Sequence, residues 1–184
     1  MSDQTRLDLY DNSWYSPGAN PVKRLLWYFV NVLIFNNGLF PLSGLKVSFL
    51  RIFGAKVGNG VVIKPSVNIK YPWHLELGDY TWVGEGVWID NLTTVSLGRN
   101  CCLSQGAMLL TGNHNYKRSS FDLLVGEIYL EDGVWIGAKA IVCPGVRCHS
   151  HSVLSAGSVA TKNLEAFTIY QGNPAQEAMK RVIK

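Results

Sequence analysis

His114 stands in the stretch LLTGNHNY (109–116), where a glycine, two asparagines and the histidine fill four consecutive positions. Imidazole changes charge near neutral pH, so a histidine presented on a loop can take up a proton and return it. The same residue types also build polar turns, so the stretch alone does not separate an active site from a loop. An acid and an amide, Asp90 and Asn91, close the earlier stretch WIDN (88–91). They matter to His114 only if the fold brings the two stretches together. The other histidines, His74, His149 and His151, read as surface or turn residues. The cysteines, Cys101, Cys102, Cys143 and Cys148, form no CxxC pair and no zinc-ligand spacing. That favours reduced thiols in a cytoplasmic protein over a disulfide framework, and it offers no metal site.

The elements that would position these residues are read from the rest of the chain. Its 184 residues suit one domain. With 47% hydrophobic and 16% charged residues, it can fill a core and is too apolar for a disordered chain. The net charge of +4 is spread out, with local clusters at Lys117–Arg118 and Lys180–Arg181, which is not the stripe of a nucleic-acid binder. The first twenty residues are polar and do not read as a secretory signal. The apolar run LLWYFVNVLIF (25–35) is shorter than the roughly 20 residues a spanning helix needs.

A six-residue period organises the middle of the chain. Aliphatic residues, often followed by glycine, recur at Val57, Ile63, Ile69, Leu77, Val83, Ile89, Leu97, Leu103 and Leu109, then at Leu130, Ile136, Val142, Cys148, Leu154 and Ala160. Four residues after each comes a small or β-branched residue, such as Val67, Thr81, Ala107, Ala140 or Ser158. Neither a helical period nor simple alternation produces this pattern, whereas a parallel β-helix of hexapeptide repeats does. Each hexad then supplies one short strand and one corner, and three hexads close a triangular coil. Cys101 and Cys148 fall at inward positions as small hydrophobes.

The register carries further information. Val57, Leu77 and Leu97 are twenty residues apart rather than eighteen, because the stretches 69–76 and 89–96 each carry two extra residues. In the third coil the same side runs from Leu109 to Leu130, which leaves 110–129 as a long loop. His114 opens that loop, and Asp90 and Asn91 lie one coil below. A purely structural solenoid has no need of such an excursion.

The ends are expected to be helical. Residues 21–53 read as two helical segments, separated by Asn36, Asn37, Gly38 and Pro41. They suit a cap over the open end of the solenoid, or a membrane-surface contact through Trp27, Tyr28, Lys23 and Arg24. In the tail, Asn173 as a cap, Pro174 at the first helical position and basic residues at the end predict a C-terminal helix. The organisation expected is a polar arm and helical cap (1–53), a β-helix of about five coils (54–165) with the loop 110–129, and a tail with a helix (166–184).

From about residue 50 onward the chain resembles the hexapeptide-repeat acyltransferases, specifically the colanic-acid-type and galactoside/maltose-type O-acetyltransferases. The resemblance rests on the hexads, WIDN (88–91), CLSQGAMLLTGNH (102–114), DGVWIGAKAIVCPGV (132–146), SAGSVATK (155–162) and QGNPA (171–175). It implies a left-handed winding, a homotrimer with active sites between protomers, and acetyl-CoA as co-substrate. It also implies that His114 is the catalytic general base, taking the proton from a sugar hydroxyl as that oxygen attacks the thioester. Asp90 is the candidate acid that orients the imidazole. In the galactoside/maltose branch the matching acid falls where this chain has Leu92, so Glu127 is kept beside it. Asn91, Asn113, Asn115 and Tyr116 are candidates for holding the acceptor. Trp135, Ala138, Ala156, Thr161 and Lys162 match positions lining the CoA groove, and Lys162, Arg147 or Arg181 could meet its phosphates.

The function expected is acetylation of a sugar hydroxyl in surface-polysaccharide biosynthesis, in the cytoplasm, with the inner face of the membrane as the alternative location. A free sugar or a xenobiotic is the alternative acceptor. Two other classes use the same solenoid. A γ-type carbonic anhydrase holds zinc with three histidines, and a non-enzymatic scaffold would lack the long loop.

Overall fold

The computed structural model describes residues 4–184. The six-residue period becomes a three-sided solenoid of parallel strands. Its first face stacks Lys56–Val57, Leu75–Leu77, Val95–Leu97, Ile128–Leu130 and Arg147–Cys148. The second stacks Val62–Ile63, Trp82–Val83, Cys102–Leu103, Trp135–Ile136, Val153–Leu154 and Thr168–Gly172. The third stacks Asn68–Ile69, Trp88–Asp90, Met108–Leu110, Ile141–Val142 and Val159–Ala160. Leu164, bridged to Cys148, and the strand Thr168–Gly172 carry the winding into a further turn. The solenoid therefore has about six turns, more than the five expected.

Each short strand points one aliphatic residue inward, and stacking turns these into ladders. Ile63, Val83, Leu103, Ile136 and Leu154 form one ladder, and Ile69, Ile89, Leu109, Val142 and Ala160 another, all buried. Between coils, backbone amides donate to the carbonyls of the next coil, as from Gly58 to Leu77 and from Gly78 to Leu97, both at 2.8 Å. The glycine that follows the aliphatic residue has a steric cause. A Cβ on Gly78 would lie 2.5 Å from the Gly98 backbone of the next coil. Polar residues at the small positions are satisfied locally, as when Thr81 Oγ1 donates to the Gly98 carbonyl at 2.9 Å.

The two extra residues per coil have a consequence that the period did not reveal. They let the first face carry a second inward residue, so Leu75, Val95 and Ile128 stack in register and are buried. Thr93, four residues after Ile89, is only half-buried, and Val95 fills the core instead.

At one end of the solenoid α1 (Pro21–Val30), a π-helical segment (Asn31–Phe35) and α2 (Ser43–Ile52) pack against the first coil. Asn20 caps α1 by accepting from the Lys23 amide at 2.8 Å, and Pro21 occupies the first turn. Trp27, Phe35 and Leu50 are buried in the same cluster as the ladders, and Trp27 Nε1 donates to the Ile69 carbonyl. The other side of α1 and the π-helical segment exposes Val22, Leu25, Leu26, Phe29 and Leu33. Among the described residues no helix is long and apolar enough to cross a membrane.

The tail departs from expectation. Thr168–Gly172 and Ala175–Lys180 form an antiparallel hairpin, with Gly172 opposite Ala175 and a cis peptide at Asn173–Pro174. No helix forms, because the strand Thr168–Gly172 ends the second face with unpaired backbone groups. The tail satisfies them by pairing as a strand, and that tertiary demand outweighs the local helix-start signals. All cysteines are free, with Cys101 and Cys148 buried as read from the repeat.

Candidate active site

The corner between the third and first faces is where the coils bulge, and it forms a vertical column. Lys70 and Tyr71 belong to the first coil, Asp90 and Asn91 to the second, and Leu110 and Thr111 to the third. Above Thr111 the chain leaves the solenoid as a hairpin of Gly112–His114 and Leu123–Val125, with His114 opposite Leu123. The loop is thus a regular two-stranded excursion, not an irregular one. Gly112 does not adopt a left-handed φ, so it is not there to permit a turn. Its role is steric, since a Cβ would lie 2.6 Å from the Leu92 Cδ1 below. Thr111, fully buried, donates to the Asp90 carbonyl at 2.9 Å and accepts from the Leu92 amide at 2.8 Å. It fixes the bulge beneath the loop.

The part of the site that the spacing missed is the N-terminal arm, which climbs this column. The Pro17 carbonyl accepts from Trp73 Nε1 at 2.6 Å and from His74 Nε2 at 3.2 Å, in the first coil. The Tyr15 hydroxyl donates to the Leu92 carbonyl at 2.7 Å, in the second. The Tyr10 ring lies 5.7 Å from the His114 ring, and the Arg6 amide donates to the Ser119 carbonyl in the loop. The density of Tyr10, Trp14 and Tyr15 in an otherwise polar arm was the available signal. His74 is half-buried here as an anchor for the arm, whereas His149 meets Glu131 and His151 stacks on Phe167 elsewhere on the surface.

Arm, bulges and loop together enclose an open cavity of about 660 Å³. Its walls include Tyr10, Tyr15, Lys70, Asp90, Asn113 and His114. Burial in this cavity pushes the Tyr15 phenol well up, with Tyr71 and Asp90 adding to the shift and Arg24 opposing it. His114 is half-buried and held on two sides. Its ring lies on Phe121 at 4.4 Å and 8°, and its Nδ1 is 2.9 Å from the Phe121 carbonyl. A carbonyl only accepts, so this contact places the proton on Nδ1. In the neutral ring, Nε2 then keeps a free lone pair.

Asp90 shares the cavity but is not the partner of the ring nitrogen, which corrects the expectation that a carboxylate orients the imidazole. The Phe121 carbonyl does that, while Asp90 pairs with Lys70 at 3.0 Å. The pair follows from the register, since Lys70 sits in its bulge where Asp90 sits in the next. Asn91 also needs correction. It is fully buried, its Oδ1 accepts from the Tyr71 amide and its Nδ2 donates to the Tyr71 carbonyl. Its amide joins two coils, and its full burial keeps it from the cavity. Asn113 lines the cavity, with Oδ1 accepting from the His114 amide. Asn115 and Tyr116 lie further out; Asn115 borders a different cavity with Asp122, and Tyr116 is exposed. Glu127 is exposed on the first face and bonds the Tyr129 hydroxyl instead of approaching the ring.

The residues matched to the CoA groove lie on later coils. Trp135, on the second face, is half-exposed and donates from Nε1 to Ser104. Ala138 and Ala156 occupy the next corner, where the Gly157 amide reaches the Ala138 carbonyl at 2.8 Å. Thr161 and Lys162, exposed, follow Ala160 on the column that carries the loop. Arg147 packs its guanidinium over Tyr129 and pairs with Glu131. Arg181 donates to the carbonyls of Gly133 and His151, which makes it an anchor of the tail. Among the described residues no group of three or more His, Cys, Asp or Glu could hold a metal ion.

No family model matches the chain. A protein of Escherichia coli K12 named as the colanic acid biosynthesis acetyltransferase WcaF is 38% identical over 165 residues, covering 90% of this chain and 91% of its own. The chain belongs to the hexapeptide-repeat acetyltransferases, in the colanic-acid-type group. As a member of this family it is an acyltransferase. The galactoside O-acetyltransferase of Escherichia coli K12 is 26% identical over 134 residues, covering 71% of this chain and 66% of its own. A hexapeptide-repeat acetyltransferase from Vibrio cholerae, solved in complex with acetyl coenzyme A, superimposes with a TM-score of 0.78. It is 20% identical and covers 88% of each chain, which supports the solenoid fold.

Proposed function

We propose that this acetyltransferase moves the acetyl group of acetyl-CoA onto a sugar hydroxyl, with His114 as general base. The observation that carries the reading is the state of the imidazole, with Nδ1 engaged by the Phe121 carbonyl and Nε2 free beside an open, partly polar cavity. Nε2 takes the proton of the acceptor hydroxyl as that oxygen attacks the thioester carbonyl. The new C–O bond forms, the C–S bond breaks, and the imidazolium returns the proton to the departing thiolate. No covalent enzyme intermediate is needed. Asp90 lines the same cavity and contributes the negative charge that favours the transient imidazolium. Asn113 and the Tyr15–Tyr71 wall bound the acceptor.

Trp135, Ala138, Ala156, Thr161 and Lys162 would hold the coenzyme, with Lys162 toward its phosphates. The working unit is a homotrimer with sites between protomers; the exposed Trp82 and Trp135 on the second face support that packing. The helices at the first coil cap the open core. Their exposed apolar side, with Val22, Leu25, Leu26, Phe29 and Leu33, supports contact with the cytoplasmic membrane surface. The acceptor class that fits is a sugar of a surface polysaccharide.

The test is a screen of sugars, nucleotide-linked sugars and lipid-linked sugars with labelled acetyl-CoA, run beside His114→Ala. That variant should lower turnover by about 10²- to 10⁴-fold, with acetyl-CoA affinity nearly unchanged. Activity that survives in His114→Ala refutes the assignment.

A further inference from the structure

Arg24 lies on α1, where it borders two cavities at once. One is the His114 cavity. The other, about 480 Å³, runs along α1 past Tyr28, Val32 and Trp88. Arg24, Lys70, Tyr71 and Asp90 line both. Nε of Arg24 is buried without a hydrogen-bond partner, so it is closed to a ligand, and it is the rest of the guanidinium that can meet one where Arg24 borders the cavities. Lys70 is half-exposed and paired only with Asp90 among the ion pairs of the described residues. The charged groups at this junction are Arg24, Lys70 and Asp90, so one positive charge is in excess.

We propose that Arg24 and Lys70 form an anion-binding subsite that takes the phosphate or diphosphate ester of a glycosylated acceptor. The inference rests on the acceptor reading above and deepens it. The order of groups along the surface gives the acceptor's chemistry. The sugar lies toward His114, the phosphate ester meets Arg24 and Lys70, and the carrier enters the second cavity beside Tyr28, Val32 and Trp88. A guanidinium and an ammonium suit phosphate oxygens through charge-assisted bonds. The coenzyme's own phosphates are a poor occupant within this chain. The residues matched to the CoA groove reach Thr161 and Lys162 in the fifth coil, about four strand spacings of roughly 4.8 Å from Lys70.

Both a lipid diphosphate and a nucleoside diphosphate carry this anion, and their carriers differ enough to be told apart. The experiment is calorimetric titration of inorganic pyrophosphate, geranyl diphosphate and uridine diphosphate into the full chain at saturating coenzyme A, which blocks the coenzyme's site. It is repeated with Arg24→Gln and, independently, with Lys70→Met. Retained coenzyme A binding shows that each variant is folded, and if one misfolds the other decides. The expected result is binding of all three probes, weakened about 10- to 100-fold by loss of the charged donor. Geranyl diphosphate binding tighter than uridine diphosphate supports the subsite with a lipid carrier, and the reverse order supports it with a nucleotide carrier. The proposal is overturned if pyrophosphate does not bind the wild-type chain, or if it binds the folded variants equally well. Failure of acetyl transfer to every sugar, with pyrophosphate still bound through Arg24, would instead count against the acetylation reading.

Discussion

The imidazole of His114 lies nearly parallel to the ring of Phe121 while its Nδ1 meets the Phe121 carbonyl at 2.9 Å, so one residue supplies both the platform and the hydrogen bond. Phe121 adopts a left-handed φ of 52°, a conformation that side chains other than glycine rarely take. Phe121→Gly keeps the backbone carbonyl and relieves that strain, but it removes the platform. We expect kcat to fall about tenfold through misalignment of the imidazole, with KM for acetyl-CoA unchanged. Phe121→Tyr keeps the ring and should restore the rate. An equal loss in both variants would mean that the ring does not position the histidine.

Asp90→Asn preserves shape and removes the charge beside the cavity. If the carboxylate stabilises the imidazolium that forms as the hydroxyl attacks, kcat should fall about tenfold. The charge also neutralises Lys70, so binding of pyrophosphate should strengthen in the same variant. Steady-state kinetics and titration on one preparation separate the two effects.

Tyr15→Phe deletes the 2.7 Å bond to the Leu92 carbonyl and leaves the ring in place. The expected loss is about 1 kcal/mol, localised in the arm. It should appear as faster proteolysis between residues 4 and 20 and a raised KM for the acceptor, with little change in the melting of the solenoid. A shift of global melting without altered arm cleavage would contradict this.

Arm attachment should also depend on pH. Burial lowers the pKa of His74, whose Nε2 donates to the Pro17 carbonyl. A folded-state pKa below the unfolded value means that the folded form binds fewer protons. Stability is therefore full above the unfolded value, near 6.5, and is lost as pH falls through the lower folded value. Limited proteolysis at pH 7.5 and pH 5 should show the arm released at the lower pH, and His74→Phe should flatten that difference.

The solenoid was legible because its code is local and repeated. Ile63, Val83, Leu103, Ile136 and Leu154 each declare their inward position by spacing alone, and so do the buried Cys101 and Cys148. The twenty-residue register also foretold where the loop leaves and that Asp90 lies beneath it. The failures come from groups whose partners are distant. Asn91 reads as a ligand group until Tyr71 of the previous coil satisfies it. QGNPA reads as a helix start until the open edge beside it demands a strand. Arg24 and Tyr15 carry no motif, since only the docking of α1 and of the arm against the coils gives them a place in the cavity.

That path has a consequence for the order in which the molecule is made. The Arg6 amide meets the Ser119 carbonyl, so residues made before the solenoid wait for a loop made much later. Chains grow from the N-terminus at about 5–20 residues per second, and the helices and first coils can pack before the loop exists. The arm then closes over a site whose floor is already built. The cavity is finished by a segment older than its floor, and a nascent chain halted before the loop would leave Tyr10 without the His114 ring that it faces.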